Sequence, residues 1–263
     1  MNKNRLILIC LFTLIMLPGI RAQNNSSTPA ALNIVFIGDS ITQGVGVSDP
    51  NTQAAPVIAV HELQKKVGDN YAVYFSNQGH AGHTTADFLP NGEDFKNVES
   101  AARDLHVKHA GQLIFSIMLG TNDSANSGPN GSPVSADNYS QNLQKIIDKL
   151  LVEYPDGKFF LNHPIWYSPN THNSSNYEGG SAAGRLKSYF PAMDGLVEHY
   201  SLSNPRQVYT GDTQAYNYFA NHRDELNGEN GQNGIFYLHP NIQGAQSLGK
   251  FWATAIAQGL ATQ

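Results

Sequence analysis

Asn33-Ile34-Val35-Phe36-Ile37-Gly38-Asp39-Ser40-Ile41-Thr42-Gln43-Gly44 begins as an apolar, β-branched run and turns at Gly38-Asp39-Ser40. A short continuous apolar run of this kind reads as a strand buried on both faces, the habit of parallel sheets. A strand that stops on glycine, aspartate and serine delivers a hydroxyl to the carboxyl edge of the sheet, where α/β proteins hold their ligands. Ser40 is therefore a candidate nucleophile. The competing reading is a turn serine that caps the following helix.

Working outward, strand and helix patterns alternate. Strands are expected over residues 32–38, 71–77, 113–119, 158–165 and 207–211, and helices over 53–66, 97–106, 137–154, 182–200 and 243–260. The helix over 137–154 is the clearest, with Leu143, Ile146, Ile147, Leu150 and Leu151 in register. Alternation of this kind argues for a mostly parallel sheet covered on both faces, in one domain. Two stretches, 124–135 and 212–235, are rich in Ser, Asn, Gly and Pro and read as irregular loops beside the site.

Three further blocks follow Ser40, each after an apolar run. They are Asn77-Gln78-Gly79-His80-Ala81-Gly82-His83-Thr84, then Gly120-Thr121-Asn122-Asp123, and finally Leu238-His239-Pro240-Asn241 ahead of the last helix. Together they resemble the four blocks of the GDSL-type, or SGNH, hydrolases, with Ser40, Gly82, Asn122 and His239 at the matching positions. The resemblance implies a flavodoxin-like three-layer α/β/α sandwich with a five-stranded, mostly parallel sheet. It also implies ester hydrolysis through an acyl-enzyme without a cofactor. Ser40 would be the nucleophile and His239 the general base. The Ser40 and Gly82 N–H groups and the Asn122 amide would form the oxyanion hole. Gly79 rivals Gly82, and the family's Asn-x-x-x-x-Gly-x-Thr spacing selects Gly82. The last block resembles bacterial carbohydrate acetylesterases more than lipases, so an acetylated carbohydrate is the expected substrate. A lipid esterase and an inactive glycan-binding relative are the alternatives.

One position departs from the pattern. The family places an aspartate three residues before the histidine, and here that residue is Phe236. The third triad member is thus open. Asp212, Asp224, Glu225 and Glu229 are the acids nearby in sequence. The bulk of Phe236 and the flexible residues 227–234 point to a backbone carbonyl, in a Ser-His dyad.

His80 and His83, and likewise His106 and His109, have a spacing that suits metal ligands. No third ligand at suitable spacing accompanies them, so no metal is expected. Trp166, Tyr167, Tyr177, Tyr216 and Tyr218 are candidates either for sugar stacking or for plain packing.

The chain starts with Lys3 and Arg5, then an apolar stretch, then a small residue at Ala22. Residues 1–22 read as a secretory signal, 23–31 as a disordered leader and 32–263 as the hydrolase domain. The expected location is outside the cytoplasm, secreted or periplasmic, with no stable membrane anchor once the signal is cleaved. Cys10 is the one cysteine of the 263 residues, so the mature chain has no disulfide. Three of its sixteen basic residues lie in the signal, which leaves thirteen against twenty-one acidic ones, a net charge of −8. Such a surface is a poor partner for nucleic acid.

Overall fold

The computed structural model describes residues 29–261. The signal expected over residues 1–22 lies outside them. In chain order, β1 (Ala30–Gly38) leads to α1 (Ser40–Gln43), α2 (Pro50–Gln53) and α3 (Ala55–Val67). Next, β2 (Tyr71–Gly79) precedes α4 (Glu93–Lys108), and β3 (Gly111–Met118) precedes α5 (Ala136–Glu153). Then β4 (Lys158–Leu161) precedes α6 (Gly179–Ser203), and β5 (Val208–Thr210) precedes α7 (Ala215–Asn221). The chain closes with β6 (Leu226–Gly231), β7 (Gly234–Pro240) and α8 (Ile242–Ala261). β1 begins at Ala30, two residues ahead of its expected start, and residues 23–28 of the expected leader lie outside the described residues. Ala30 and Ala31 pair with Tyr71 and Ala72, which satisfies backbone groups that would otherwise face water.

Five strands form one sheet in the order β2-β1-β3-β4-β5, with every pairing parallel. This is the flavodoxin-like order, and its switch point lies between β1 and β3. Alternation along β1 divides the core in two. Val35 and Ile37 join Phe115, Ile117 and Phe159 on one face, covered by α4, α5 and α6 through Val98, Leu143, Ile147, Leu186 and Tyr200. Ile34 and Phe36 join Ile114 and Phe160 on the other, covered by α3 and α8 through Val60, Leu63, Leu248 and Trp252. Trp252 stacks on Phe36 with ring centroids 5.7 Å apart, and both are buried. Each such side chain contributes roughly 1.5–3 kcal/mol by leaving water. The result is the expected three-layer α/β/α sandwich.

The expected irregular loop over residues 212–235 is largely regular. It holds α7, a 3₁₀ turn at Arg223–Glu225 and β6, which pairs antiparallel with β7 in a separate two-stranded hairpin. Asn and Gly are depleted from strands, so Leu226-Asn-Gly-Glu-Asn-Gly231 hides its state from propensity. Tertiary packing overrides it. Leu226 is buried in the α3–α8 core, and Phe236 and Leu238 are buried in the other.

Candidate active site

The four blocks converge at the carboxyl ends of the strands. Asp39 caps α1, its Oδ1 accepting from the Ile41 N–H at 3.0 Å. Ser40 follows as the first residue of α1 and is 8% exposed. Its Oγ lies 2.9 Å from His239 Nε2, a contact between residues 199 apart in sequence. His239 comes from the end of β7 and is itself buried.

A carboxylate does face the other side of that ring, contrary to the expected backbone carbonyl. Glu229 Oε1 and Oε2 stand 2.9 and 3.0 Å from His239 Nδ1, and Oε1 also accepts from the His239 backbone N–H at 3.2 Å. Glu229 sits on β6, paired with Phe236 across the ladder. The register explains its reach. Gly228 pairs with Tyr237 and Leu226 with Pro240, so β7 carries one residue more than β6 over this span. The extra residue on β7 interrupts the alternation of faces there and turns His239 to the face of Glu229. Phe236 meanwhile fills the core. The family position is occupied by a packing residue, and the neighbouring strand supplies the acid instead.

The other nearby acids have different work. Asp212 accepts from the Gln214 and Ala215 N–H groups, each at 3.0 Å, and so starts α7. Glu225 accepts from the Tyr218 hydroxyl at 2.7 Å. Asp224 contributes its carbonyl to Asn241 Nδ2.

The two rival glycines differ in what surrounds them. A Cβ at Gly79 would fall 2.2 Å from the Gln43 backbone nitrogen, so this glycine exists to let β2 lie against α1. A Cβ at Gly82 would meet nothing within 4 Å, and its φ of +82° suits glycine. Its segment is pinned on both flanks. Ala81 N–H donates to Gln43 Oε1 at 2.9 Å, and the His83 carbonyl accepts from Asn122 Nδ2 at 2.8 Å.

The amide of Asn122 is held from its other end as well. Its Oδ1 accepts from the Tyr177 hydroxyl at 2.6 Å, which fixes which end of the amide is the donor. Burial pushes the Tyr177 hydroxyl far up, so it stays a donor. Of the five aromatic candidates, Tyr167, Tyr177 and Tyr216 are buried and belong to the core. Trp166 is half-buried beneath the Arg223 guanidinium, 5.8 Å from its ring centroid.

Two buried carboxyls underlie these blocks. Asp123 accepts from the Thr85 N–H at 3.0 Å and from its hydroxyl, tying the second block to the third. Burial pushes Asp123 up to about 7, against the Thr85 bonds. Burial likewise pushes Asp39 up to about 6, offset in part by the Ile41 N–H and the nearby His239.

His80 and His83 gain the third neighbour that spacing alone does not reveal. Asp94, in the first turn of α4, meets both rings. His106 and His109 remain apart from it at the end of α4, where His109 stacks on Tyr74.

No curated protein matches the chain by sequence. Solved structures do resemble it in fold. Est24, a carbohydrate acetylesterase from Sinorhizobium meliloti, is 18% identical with a TM-score of 0.54, covering 88% of this chain and 98% of its own. The native aryl esterase of M. smegmatis is 17% identical with a TM-score of 0.55, covering 88% and 98%. An active-site mutant of a family two carbohydrate esterase from Clostridium thermocellum is 19% identical with a TM-score of 0.54, covering 89% and 65%. The profile of the GDSL-like Lipase/Acylhydrolase family matches residues 36–246, from the strand that delivers Ser40 to the helix that follows His239. The chain thus belongs to the GDSL-like lipase/acylhydrolases, a family of esterases.

Proposed function

We propose that the protein is an exported serine esterase that removes short acyl groups, acetyl foremost, from carbohydrate. The observation that carries the reading is the continuous line from Glu229 through His239 to Ser40, with contacts of 2.9 Å on each side of the imidazole. A carboxylate on Nδ1 holds the tautomer that leaves Nε2 free to accept the seryl proton. Ser40 Oγ then attacks the ester carbonyl, and its proton passes to His239 Nε2. The tetrahedral oxyanion is met by the N–H groups of Ser40 and Gly82 and by the Asn122 amide. An amide nitrogen has two hydrogens, and the His83 carbonyl engages one of them. As the intermediate collapses, His239 returns the proton to the departing alcohol. Water then attacks the acyl-enzyme, giving a proton to His239, which passes it to Ser40 Oγ as the acid departs.

Export rests on the charged, apolar and small-residue order of residues 1–22. Among the described residues no helix is long and apolar enough to cross a membrane. The carbohydrate reading rests on the character of the last block and agrees with the carbohydrate esterases among the structural neighbours. Glu229 removes the ground for an inactive relative, since the carboxylate missing at position 236 is supplied from the next strand.

Nitrophenyl acetate, butyrate and octanoate, together with acetylated xylo-oligosaccharides, test the reading. Acetyl esters should be cleaved fastest, with acetate released from the oligosaccharide. Faster turnover of octanoate, with no acetate release, would move the substrate to lipids.

A further inference from the structure

Three side chains without a part in the ester chemistry meet beside it. His80 and His83 leave the end of β2 on either side of Gly82, and Asp94 rises from the start of α4. His80 Nδ1 lies 2.9 Å from Asp94 Oδ1, and His83 Nδ1 bonds Oδ2 of the same carboxylate. The two rings stack with centroids 3.6 Å apart and planes 23° apart. Since both Nδ1 atoms meet one carboxylate, the stacked rings present their Nδ1 edges on the same side. One donor atom from each of the three residues falls within 4.8 Å of the others. Two ligands of a single tetrahedral zinc-sized ion, with bonds near 2.0–2.1 Å, stand about 3.3 Å apart. Reaching that spacing takes shifts of about 1 Å in the ligand atoms, within what side-chain torsions allow. Asp94 is buried and His80 is exposed, so the acid is fixed and the entry side is open to water.

We propose that His80, His83 and Asp94 bind one divalent transition-metal ion of the zinc class, through three protein ligands and a position left to water. Two imidazoles and a carboxylate are a donor set that zinc favours. The ion is an anchor and takes no part in acyl transfer. It ties the segment on both sides of Gly82 to the first turn of α4. The His83 carbonyl also receives the Asn122 amide at 2.8 Å, so the anchored segment reaches both the glycine and the asparagine of the site. The inference is independent of the substrate, because it concerns binding and not turnover.

The test is calorimetric titration of the purified, metal-free protein with zinc chloride, with melting temperature as a second readout. Wild type should bind one zinc per chain at micromolar concentration or tighter and should melt higher when loaded. His80→Ala, His83→Ala and Asp94→Asn should each weaken binding at least tenfold and remove the gain in melting temperature. His80 is on the surface, so its variant keeps the fold, which circular dichroism checks. Absence of zinc binding in wild type overturns the proposal, as does unchanged binding in His80→Ala. Binding lost in Glu229→Gln but kept in His80→Ala would place the ion at the catalytic histidine and overturn it equally.

Discussion

Glu229 holds His239 twice, at the ring and at the backbone, with one carboxylate oxygen shared between Nδ1 and the peptide N–H. The acid and the base therefore belong to one hairpin, whereas the nucleophile opens α1 at the end of the central strand β1. This division separates what each substitution should do.

Glu229→Gln should lower turnover by about 10³–10⁴, the scale set by loss of the imidazole tautomer in the serine-protease triad. Binding of product and the melting temperature should change little. Asp224→Asn and Glu225→Gln should stay within about tenfold of wild type, and Asp212→Asn should cost stability at the start of α7 in place of turnover. A fully active Glu229→Gln enzyme would restore the carbonyl-oriented dyad.

Ser40→Ala should abolish ester hydrolysis and leave the fold intact, since the hydroxyl is delivered by a cap that Asp39 makes. The measurement is acetate release alongside circular dichroism. Residual activity above a few per cent would remove Ser40 from its role.

Asn122→Ala should cost about 10²–10³ in turnover, the usual consequence of losing one oxyanion donor. Tyr177→Phe should cost less and act in the same step. It leaves the amide in place and removes only the hydroxyl that holds its Oδ1. Both variants should lower kcat more than they raise KM. A Tyr177→Phe enzyme altered in KM alone would show that the tyrosine contacts substrate instead.

Asp123 offers a pH test. Its carboxyl is pushed up to about 7 by burial, far above the unfolded value. The native protein then holds this proton more tightly than the unfolded chain does. Its contribution to stability is present at low pH and declines as pH rises from about 4 through 7. Asp123→Asn cannot ionise, so the difference variant minus wild type should grow over that window and favour the variant above pH 7. Urea unfolding at several pH values measures it. A difference that stays flat with pH would refute the assignment.

Much of this could be read from residues. The β-branched run into Ser40 locates the first strand, and the 3.6-residue spacing of Leu143, Ile146, Ile147 and Leu150 locates α5. Ser40 and His239 meet as their blocks suggest. What escaped depends on geometry that spacing does not encode. Glu229 lies in a strand rich in Asn and Gly, and a bulge in the facing strand decides that His239 turns toward it. Asp94 is 11 residues beyond His83, and only the packing of α4 against the sheet brings it to both histidines. The short β4 is another case. Expected to run to residue 165, it stops at Leu161: the Asn162 N–H still reaches the Ile117 carbonyl of β3, the His163 N–H turns to the Asp212 carbonyl, and Pro164 has no N–H to give.

The hairpin also sets how the protein should fail. A two-stranded ribbon is marginal by itself, and β6–β7 lies outside the five-stranded sheet. Fraying of that ribbon would part the acid from the base, and release Leu226, Phe236 and Leu238, while the five-stranded sheet stays paired. In rising denaturant, hydrolysis should then fade before the tryptophan and circular-dichroism signals change, and return at once on dilution. Turnover would serve as a gauge of sub-global opening, reporting a free energy smaller than that of unfolding the whole chain.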